Sequence, residues 1–560
     1  MKQILFLLCI IALSIPTFAQ QIDLGNTQAH FSKGNLLKLS GNFLANSVFY
    51  SGNEPYTRDP FNYYFTGSVN LNVMNLANIP FTFNFTNSGS NYTYPTMPNR
   101  FSLHPNYKWI TGHFGDVSMN FSPYTLNGHL FTGIGFDIGT STNSPLKIGA
   151  MYGRMQQAVE YGTGNQNVPA GYKRMGYGTQ IRFEKSKYQI GASLFTAKDD
   201  INSLNRHPDS LFIFPEENLA VSLNGNIQLI ENMRLNGEYG VSILNNDIRR
   251  NDMQNSKFHA IRLLLDYTFG NNTIGIGYER IDPGYKTLGA YYFNNDMENI
   301  TLNYARPFLK NKGNIALSGG IEHDDLGKTK ESQTRRFIAS VNIAYTPLDN
   351  LNLNLGYSSF QTHMNLKSQF DYINALTPYD NLDTLNYTQI SQNIVFTTNY
   401  TFKKNETNAQ NLNFNISLQE AVDKQGDIVP EGGMTLFCNT SLGYGFQYLP
   451  RQIAANVNLN LSTTQIAGQE MLIRGATFNV TVPLLDKKLN TTFIVSHNAN
   501  YVEGNKQSTV WNLRFNAGYT LMKKHRFNLS VTYRDNFMQA NMNKLITNGL
   551  TIISGYNYSF

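Results

Sequence analysis

Cysteine is nearly missing from this chain: Cys9 and Cys438 are the only two among 560 residues. That count excludes a disulfide framework and a Cys₄ or Cys₂His₂ zinc site. Charge is scarce as well, at 15% Asp, Glu, Lys and Arg, against roughly 25% in ordinary globular proteins. Low charge does not mean disorder here, because 41% of the residues are hydrophobic. Ala, Glu, Lys and Leu do not dominate, which excludes a long coiled coil. Beyond the N-terminal segment no apolar run approaches the ~20 residues that a membrane helix needs. A helical membrane protein is therefore excluded. A membrane barrel is not, since alternating strands average to mild polarity, and the mean hydropathy is −0.33. Enzyme signatures of the H-E-x-x-H and G-x-S-x-G kind are missing, as is an EF-hand spacing. The net charge of +6 is spread along the chain without a basic stripe, so nucleic acid is not an expected partner. His323-Asp324-Asp325 and Asp199-Asp200 pair carboxylates as a water-activating site would, but adjacent acids in loops are ordinarily solvated. The expectation is a non-enzymatic protein with no catalytic residue, metal or cofactor.

What the chain has in quantity is aromatic residues, 13% of the total with 33 Tyr and 37 Phe, and alternation of period two. Leu219, Val221, Leu223, Ile227 and Leu229 share one face of a strand, and Ser222, Asn224, Asn226 and Gln228 the other. Ile453, Ala455, Val457, Leu459 and Leu461 alternate in the same way with Asn456, Asn458, Asn460 and Ser462. Such stretches run about ten residues, the length of a tilted strand crossing a bilayer. Their polar face carries Asn, Ser, Thr, Gln and Gly rather than Lys and Glu, as a wet lumen requires. The fold class expected is all-β: a single transmembrane antiparallel barrel with short periplasmic turns and long extracellular loops.

Residues 1–19 read as a signal peptide, with Lys2 as basic n-region, Ile4 to Ile15 as apolar h-region and Thr17-Phe18-Ala19 as cleavage site. Residues 20–35 form a short periplasmic segment, and 36–560 the barrel. Short turns are expected at Glu231, Gly270, Pro347, Leu449 and Met522; long outer loops are expected near Asn205, Lys328, Asn374 and Asp427. Both termini on the periplasmic side demand an even strand number. Counting alternating segments gives an odd one. Trp109–Met119 alternates poorly and is set aside, which leaves about 24 strands and one long outer loop, 86–128. A barrel so wide is normally plugged, and no plug domain precedes the first strand. The loop 86–128 is the internal candidate for filling the bore, and a protein partner in the lumen is the other.

The last strand, Leu550, Ile552, Ser554, Tyr556, Tyr558 and Phe560, ends on an aromatic residue. With Gly555 it resembles the C-terminal signal read by the barrel-assembly machinery; Ile553 stands where that signal prefers a polar residue. The strings Asn99-Arg100-Phe101, Tyr107-Lys108-Trp109, Phe121-Ser122-Pro123-Tyr124, Tyr152-Gly153-Arg154, Tyr172 to Gly178, Ala197 to Asp200 and Asp282-Pro283-Gly284-Tyr285 are similar to those of large, mostly uncharacterised outer-membrane barrels of Bacteroidota. The resemblance covers much of the N-terminal half. It implies a barrel in the outer membrane of a Gram-negative bacterium and carries no agreed activity or catalytic residue.

Three sets of residues stand out on this frame. Lys38, Lys147, Arg182, Arg234, Arg262, Arg514 and Arg534 point into the lumen, against Asp137, Glu184, Glu238 and Asp266. They would either bias the bore towards anionic solutes or pair across strands. Arg154, Arg280, Arg335 and Arg474 share the lipid-facing side at the outer rim, where they are expected to contact phosphates of outer-leaflet glycolipid. Asp209-Ser210-Leu211 and Asp383-Thr384-Leu385 resemble the Asp-Ser/Thr-apolar acceptor of periplasmic O-glycosylation, with Ser210 and Thr384 as acceptors. Two functions fit this frame: a transport or channel barrel for polar solutes, or a barrel scaffold in a secretion, surface-export or assembly complex.

Overall fold

The computed structural model describes residues 37–53, 59–87, 99–140, 144–160, 170–250, 256–291, 293–328, 335–359, 362–365, 387–422, 434–466, 468–540 and 543–560. The signal peptide, the 20–35 segment, Thr384 and the expected loop positions Asn374 and Asp427 lie outside them. Among the described residues, the strands form one closed antiparallel sheet. The first strand, Leu37–Gly52, pairs with Val73 through Phe61 of the next strand on one side and with the last strand, Asn543–Ser559, on the other. Two hydrogen bonds between Gly41 and Phe560 finish the seam. Closure removes both sheet edges, which is what lets a sheet span a bilayer.

Alternation sorts the side chains as a membrane barrel requires. Large apolar groups such as Leu223, Ile276, Ile300, Leu302, Leu459 and Phe478 are exposed on the outside. Asn218, Ser222, Ser242, Asn460, Ser496 and Asn512 are buried on the inside. Aromatic rings gather at the short-turn end, where Tyr558 stacks on Phe560 at 5.4 Å, His525 lies 4.8 Å from Tyr558, and Phe527 lies 5.1 Å from Tyr556. This is the girdle that marks the interface of transmembrane barrels.

The wall has 26 strands, two of them interrupted. That is close to the expected count of about 24, and the difference lies in one place. Ile110–Asn120 is a wall strand, paired along its length with Asn127–Ile138. Parity is restored instead by a strand invisible to alternation: Arg100–Leu103 followed by Asn106–Tyr107, filling the wall between Ala77–Thr86 and Ile110–Asn120. It breaks at His104-Pro105, because Pro105 has no N–H to donate; its carbonyl accepts from Gly112 N instead. Gly115, at φ +93°, lets Ile110–Asn120 bend close to the Phe101 carbonyl, where a Cβ would sit 2.4 Å away. Among its described residues the span 86–128 is thus mostly wall, and the part of them that turns inward is 121–126.

The expected short turns at Glu231, Gly270, Pro347, Leu449 and Met522 all fall at one end, and Asn205 and Lys328 at the other. The length asymmetry does not hold throughout. Ile453–Ile466 and Gln469–Leu484, then Leu489–Val502 and Asn505–Leu521, are joined by tight turns at the long-loop end. Gly468 (φ +80°) and Gly504 (φ +74°) supply the left-handed residue those turns need.

Candidate lumen site

Two segments from the long-loop end fold into the barrel instead of away from it. The first is 121–126, between Ile110–Asn120 and Asn127–Ile138. The second is 282–296, between Asn272–Ile281 and Met297–Phe308. They meet in a parallel bridge between Leu126 and Gly289. Thr287 Oγ1 donates to the Thr125 carbonyl at 2.6 Å, and the Tyr285 hydroxyl to the Tyr124 carbonyl at 2.9 Å. Beneath them the lumen face of the wall turns apolar. Val117, Met119, Phe131, Met151, Met155 and Phe195 pack with Phe121, Leu126 and Leu288 in one buried cluster. Tyr124, Tyr285, Ala260 and Ile281 form a second. Each fully buried side chain of this kind contributes about 1.5–3 kcal/mol, so the insertion is a packed element of the fold. Burial drives the Tyr124 and Tyr285 hydroxyls well above the ordinary phenol range, with nearby Glu279 adding for Tyr124 and Glu238 for both; both remain donors at neutral pH.

Polar contacts fix the same segments. Ser122 donates to Glu238, which also accepts from Ser222. The Tyr124 hydroxyl reaches Glu279 Oε1 at 3.2 Å. Lys286 Nζ lies 2.6 Å from Glu216 Oε1. Glu216 also takes Arg174 Nη2 at 3.1 Å, and Arg174 forks onto Asp199 at 2.7 and 2.9 Å. Asp199 is 4% exposed, so this bidentate pair must offset most of the cost of removing its charge from water. The acidic strings noted in the sequence are thus structural: Asp199 holds Arg174, Asp200 caps a short turn through Asn202 N, and His323 Nε2 sits 3.1 Å from Glu298.

Registers place all seven basic lumen candidates on the inner face. Four of the seven face carboxylates, Arg182 within its own strand and Lys147, Arg234 and Arg262 across strands. Lys147 lies 2.6 Å from Glu184, and Arg182 3.6 Å from the same carboxylate. Arg234 is opposite Asp266, and Arg262 stands between Glu238 and Glu279. Arg514 donates to Thr532 at 3.2 Å. Asp137 accepts from His113 Nε2 at 2.9 Å, and His113 Nδ1 meets His104 Nδ1 at 2.8 Å beside the broken strand. The remaining wall, from Ile453 on, carries mostly neutral polar residues beside Arg514 and Arg534 on its inner face. Asn456–Asn479, Ser462–Asn439 and Asn512–Ser496 hydrogen bonds tie neighbouring strands, and Asn460 reaches Asn498 two strands away, over Gly475.

The rim arginines do not form one uniform ring. Arg280 faces Glu298 and Asp282, each at 3.7 Å. Arg474 stacks over the Tyr501 ring at 5.1 Å. Arg154 reaches Thr132 Oγ1 at 3.5 Å. The Arg335 side chain lies outside the described residues. Ser210 sits in the single turn Asp209–Leu211, and the acid of its string, Asp209, is held by Arg249 Nη1 at 2.9 Å.

No protein-family model and no curated sequence matches the chain. Among solved structures it is similar to the translocation pore of the P pilus usher PapC, at 10% identity over 94% of this chain and 99% of that one, with a TM-score of 0.36. It is also similar to the siderophore receptor PirA from Pseudomonas aeruginosa (12%, 93% and 80%, TM-score 0.41). A third is the FrpB iron transporter from Neisseria meningitidis, F5-1 variant (12%, 93% and 82%, TM-score 0.38). No lumen residue is assigned through these distant likenesses.

Proposed function

We propose that this chain is a non-enzymatic outer-membrane barrel that admits small polar solutes through a bore narrowed by its own inward segments. The observation that carries the reading is the division of the lumen. One side is filled by 121–126 and 282–296 packed on an apolar patch, and the other is lined by neutral hydrogen-bonding side chains tied to each other. The filler therefore comes from the chain itself, which favours a transport barrel over a scaffold waiting for a lumen partner. Pairing of Lys147, Arg182, Arg234 and Arg262 with carboxylates weakens the reason to expect anionic solutes.

The proposed orientation puts the short turns in the periplasm and the inward segments at the cell surface, in keeping with the resemblance to Bacteroidota barrels. In a Cys438→Ser background, single cysteines at Asn205 should be labelled in intact cells and those at Asn232 should not; the reverse would invert the barrel. Ser210 remains the glycosylation candidate on the surface side, and intact mass should fall in Ser210→Ala if it is used. Purified protein in planar bilayers should show small, steady single-channel currents. Excising residues 284–291 should raise the conductance several-fold while the barrel still migrates as folded without boiling. No current in either form, together with a stoichiometric partner co-purifying from native membranes, would select the scaffold instead.

A further inference from the structure

At one level of the lumen, register aligns a row of side-chain positions across six adjacent strands: Glu238, Arg262, Glu279, Asn299, Glu322 and Arg336. Acid and base alternate along it except at one position. Between Glu279 and Glu322, where the pattern calls for a cation, stands the neutral Asn299. By residue type the row holds three acids and two bases, one positive charge short.

A cavity of about 570 Å³ adjoins that gap, lined by Arg262, Asp266, Glu279, Asn299, Asn303 and Glu322 among others. It lies beneath the inward segment 282–296, which contributes Asn294 to its wall. Asn299 is 8% exposed, and its amide makes no side-chain hydrogen bond among the described residues. Here it faces a space large enough for a small organic molecule. Glu279 is already addressed by the Tyr124 hydroxyl from the inward turn, so the cavity and the insertion are built together.

We infer that this cavity binds a small organic cation, an amine- or guanidinium-bearing solute, whose charged head sits between Glu279 and Glu322 over Asn299. The solute supplies the base that the wall omits, and the Asn299 carbonyl and the carboxylates accept its N–H groups. The space far exceeds the coordination sphere of a bare metal ion at 2–2.6 Å, which favours an organic cation over a divalent metal. This rests on the transport reading, since it names the class of solute the bore would take up.

The test is titration calorimetry of agmatine into the detergent-solubilised barrel, with glucose and Ca²⁺ as controls. Asn299→Lys places an ammonium in the gap from the wall itself and should abolish binding. Asn299→Asp adds an acid and should tighten it. Glu279→Gln should weaken it about tenfold, the equivalent of 1.4 kcal/mol. Gel mobility without boiling confirms that each variant is folded. No agmatine binding by the wild type, equal binding by wild type and Asn299→Lys, or full displacement by millimolar Ca²⁺ would each overturn the proposal. The calorimetry does not depend on conduction. Binding without channel current sinks the transport reading alone, and current without binding sinks only the cation site.

Discussion

Two arcs of the same wall solve the problem of an oversized bore in opposite ways. From Ile110 to Ile281 the inner face carries both charge and grease: ion pairs such as Arg174–Asp199 and Lys147–Glu184 beside the Met, Phe and Leu side chains that receive the inward segments. From Ile453 to Ser559 it carries far less of either: Arg514 and Arg534 stand among amides and hydroxyls that bond to one another. The first arc buys a dry packed insertion at the cost of burying charge. The second is held by neutral hydrogen bonds, each worth only about 0.5–1.5 kcal/mol net. Stability and bore size should therefore respond to mutation in the first arc and scarcely in the second.

The sharpest break should come from Arg174→Met. It leaves Asp199 buried without its bidentate partner, and losses of about 3–5 kcal/mol follow such removals. Denaturant unfolding of the barrel should show this as a large fall in midpoint; a change too small to measure would mean that Asp199 is reached by water. Next, Leu288→Ala should cost about 2–4 kcal/mol of packing, concentrated in the inward segments. The readout is antibiotic entry into cells, which should rise while the folded gel form persists. Entry unchanged would show that the insertion does not limit the bore. In the second arc, Asn460→Ala removes one exchangeable hydrogen bond. It should shift stability by about 1 kcal/mol at most, with conductance unaltered; a loss as large as that of Arg174→Met would erase the contrast between the arcs.

The smallest effect is a pH response at the outer loops. The hydrogen bond from Arg249 holds the Asp247 carboxyl below its usual range. Its folded pKa lies below the unfolded one, so the contribution is complete above the unfolded value near 3.9 and is lost as pH falls through the depressed one. Protection of the 246–250 backbone against hydrogen exchange should be flat from pH 8 to about 5 and decline only below that. A decline centred near neutrality would implicate a histidine instead.

Alternation made the second arc fully legible, because water on one face and lipid on the other dictate the residue types at every position. It failed where the inner face stops being wet. Along Ile110–Asn120 the lumen side runs from Thr111 and His113 to Val117 and Met119, since its lower part joins a polar relay and its upper part the packed insertion. A strand with two inner environments looks like no strand. Arg100–Tyr107 escaped for a different reason, being too short on either side of Pro105 to show a period. The inward fold of 282–296 had a sequence signal that went unread: apolar Met151, Met155 and Phe195 at positions that period two assigns to water. Period two assigns the seven basic residues to one face, but the acids that answer Lys147, Arg234 and Arg262 are found only through the register of each neighbour. Asn299 could not be singled out at all, because its meaning lies in a row that crosses six strands.

On the proposed orientation, the tight turns at Gly468 and Gly504 have a consequence for what the cell surface presents. The strands they join are long, from 14 residues in Leu489–Val502 to 17 in Asn505–Leu521. At about 3.3 Å per residue and a tilt near 40° such strands rise roughly 35–45 Å, well above the ~25 Å apolar band. On this side the barrel meets the outside as a stiff palisade of paired backbone, with nothing slack at its crest. A protease or an antibody approaching the cell finds extended loops on the opposite side and almost none here. Surface shaving should cut before residue 453 and spare the final hundred residues as one intact fragment.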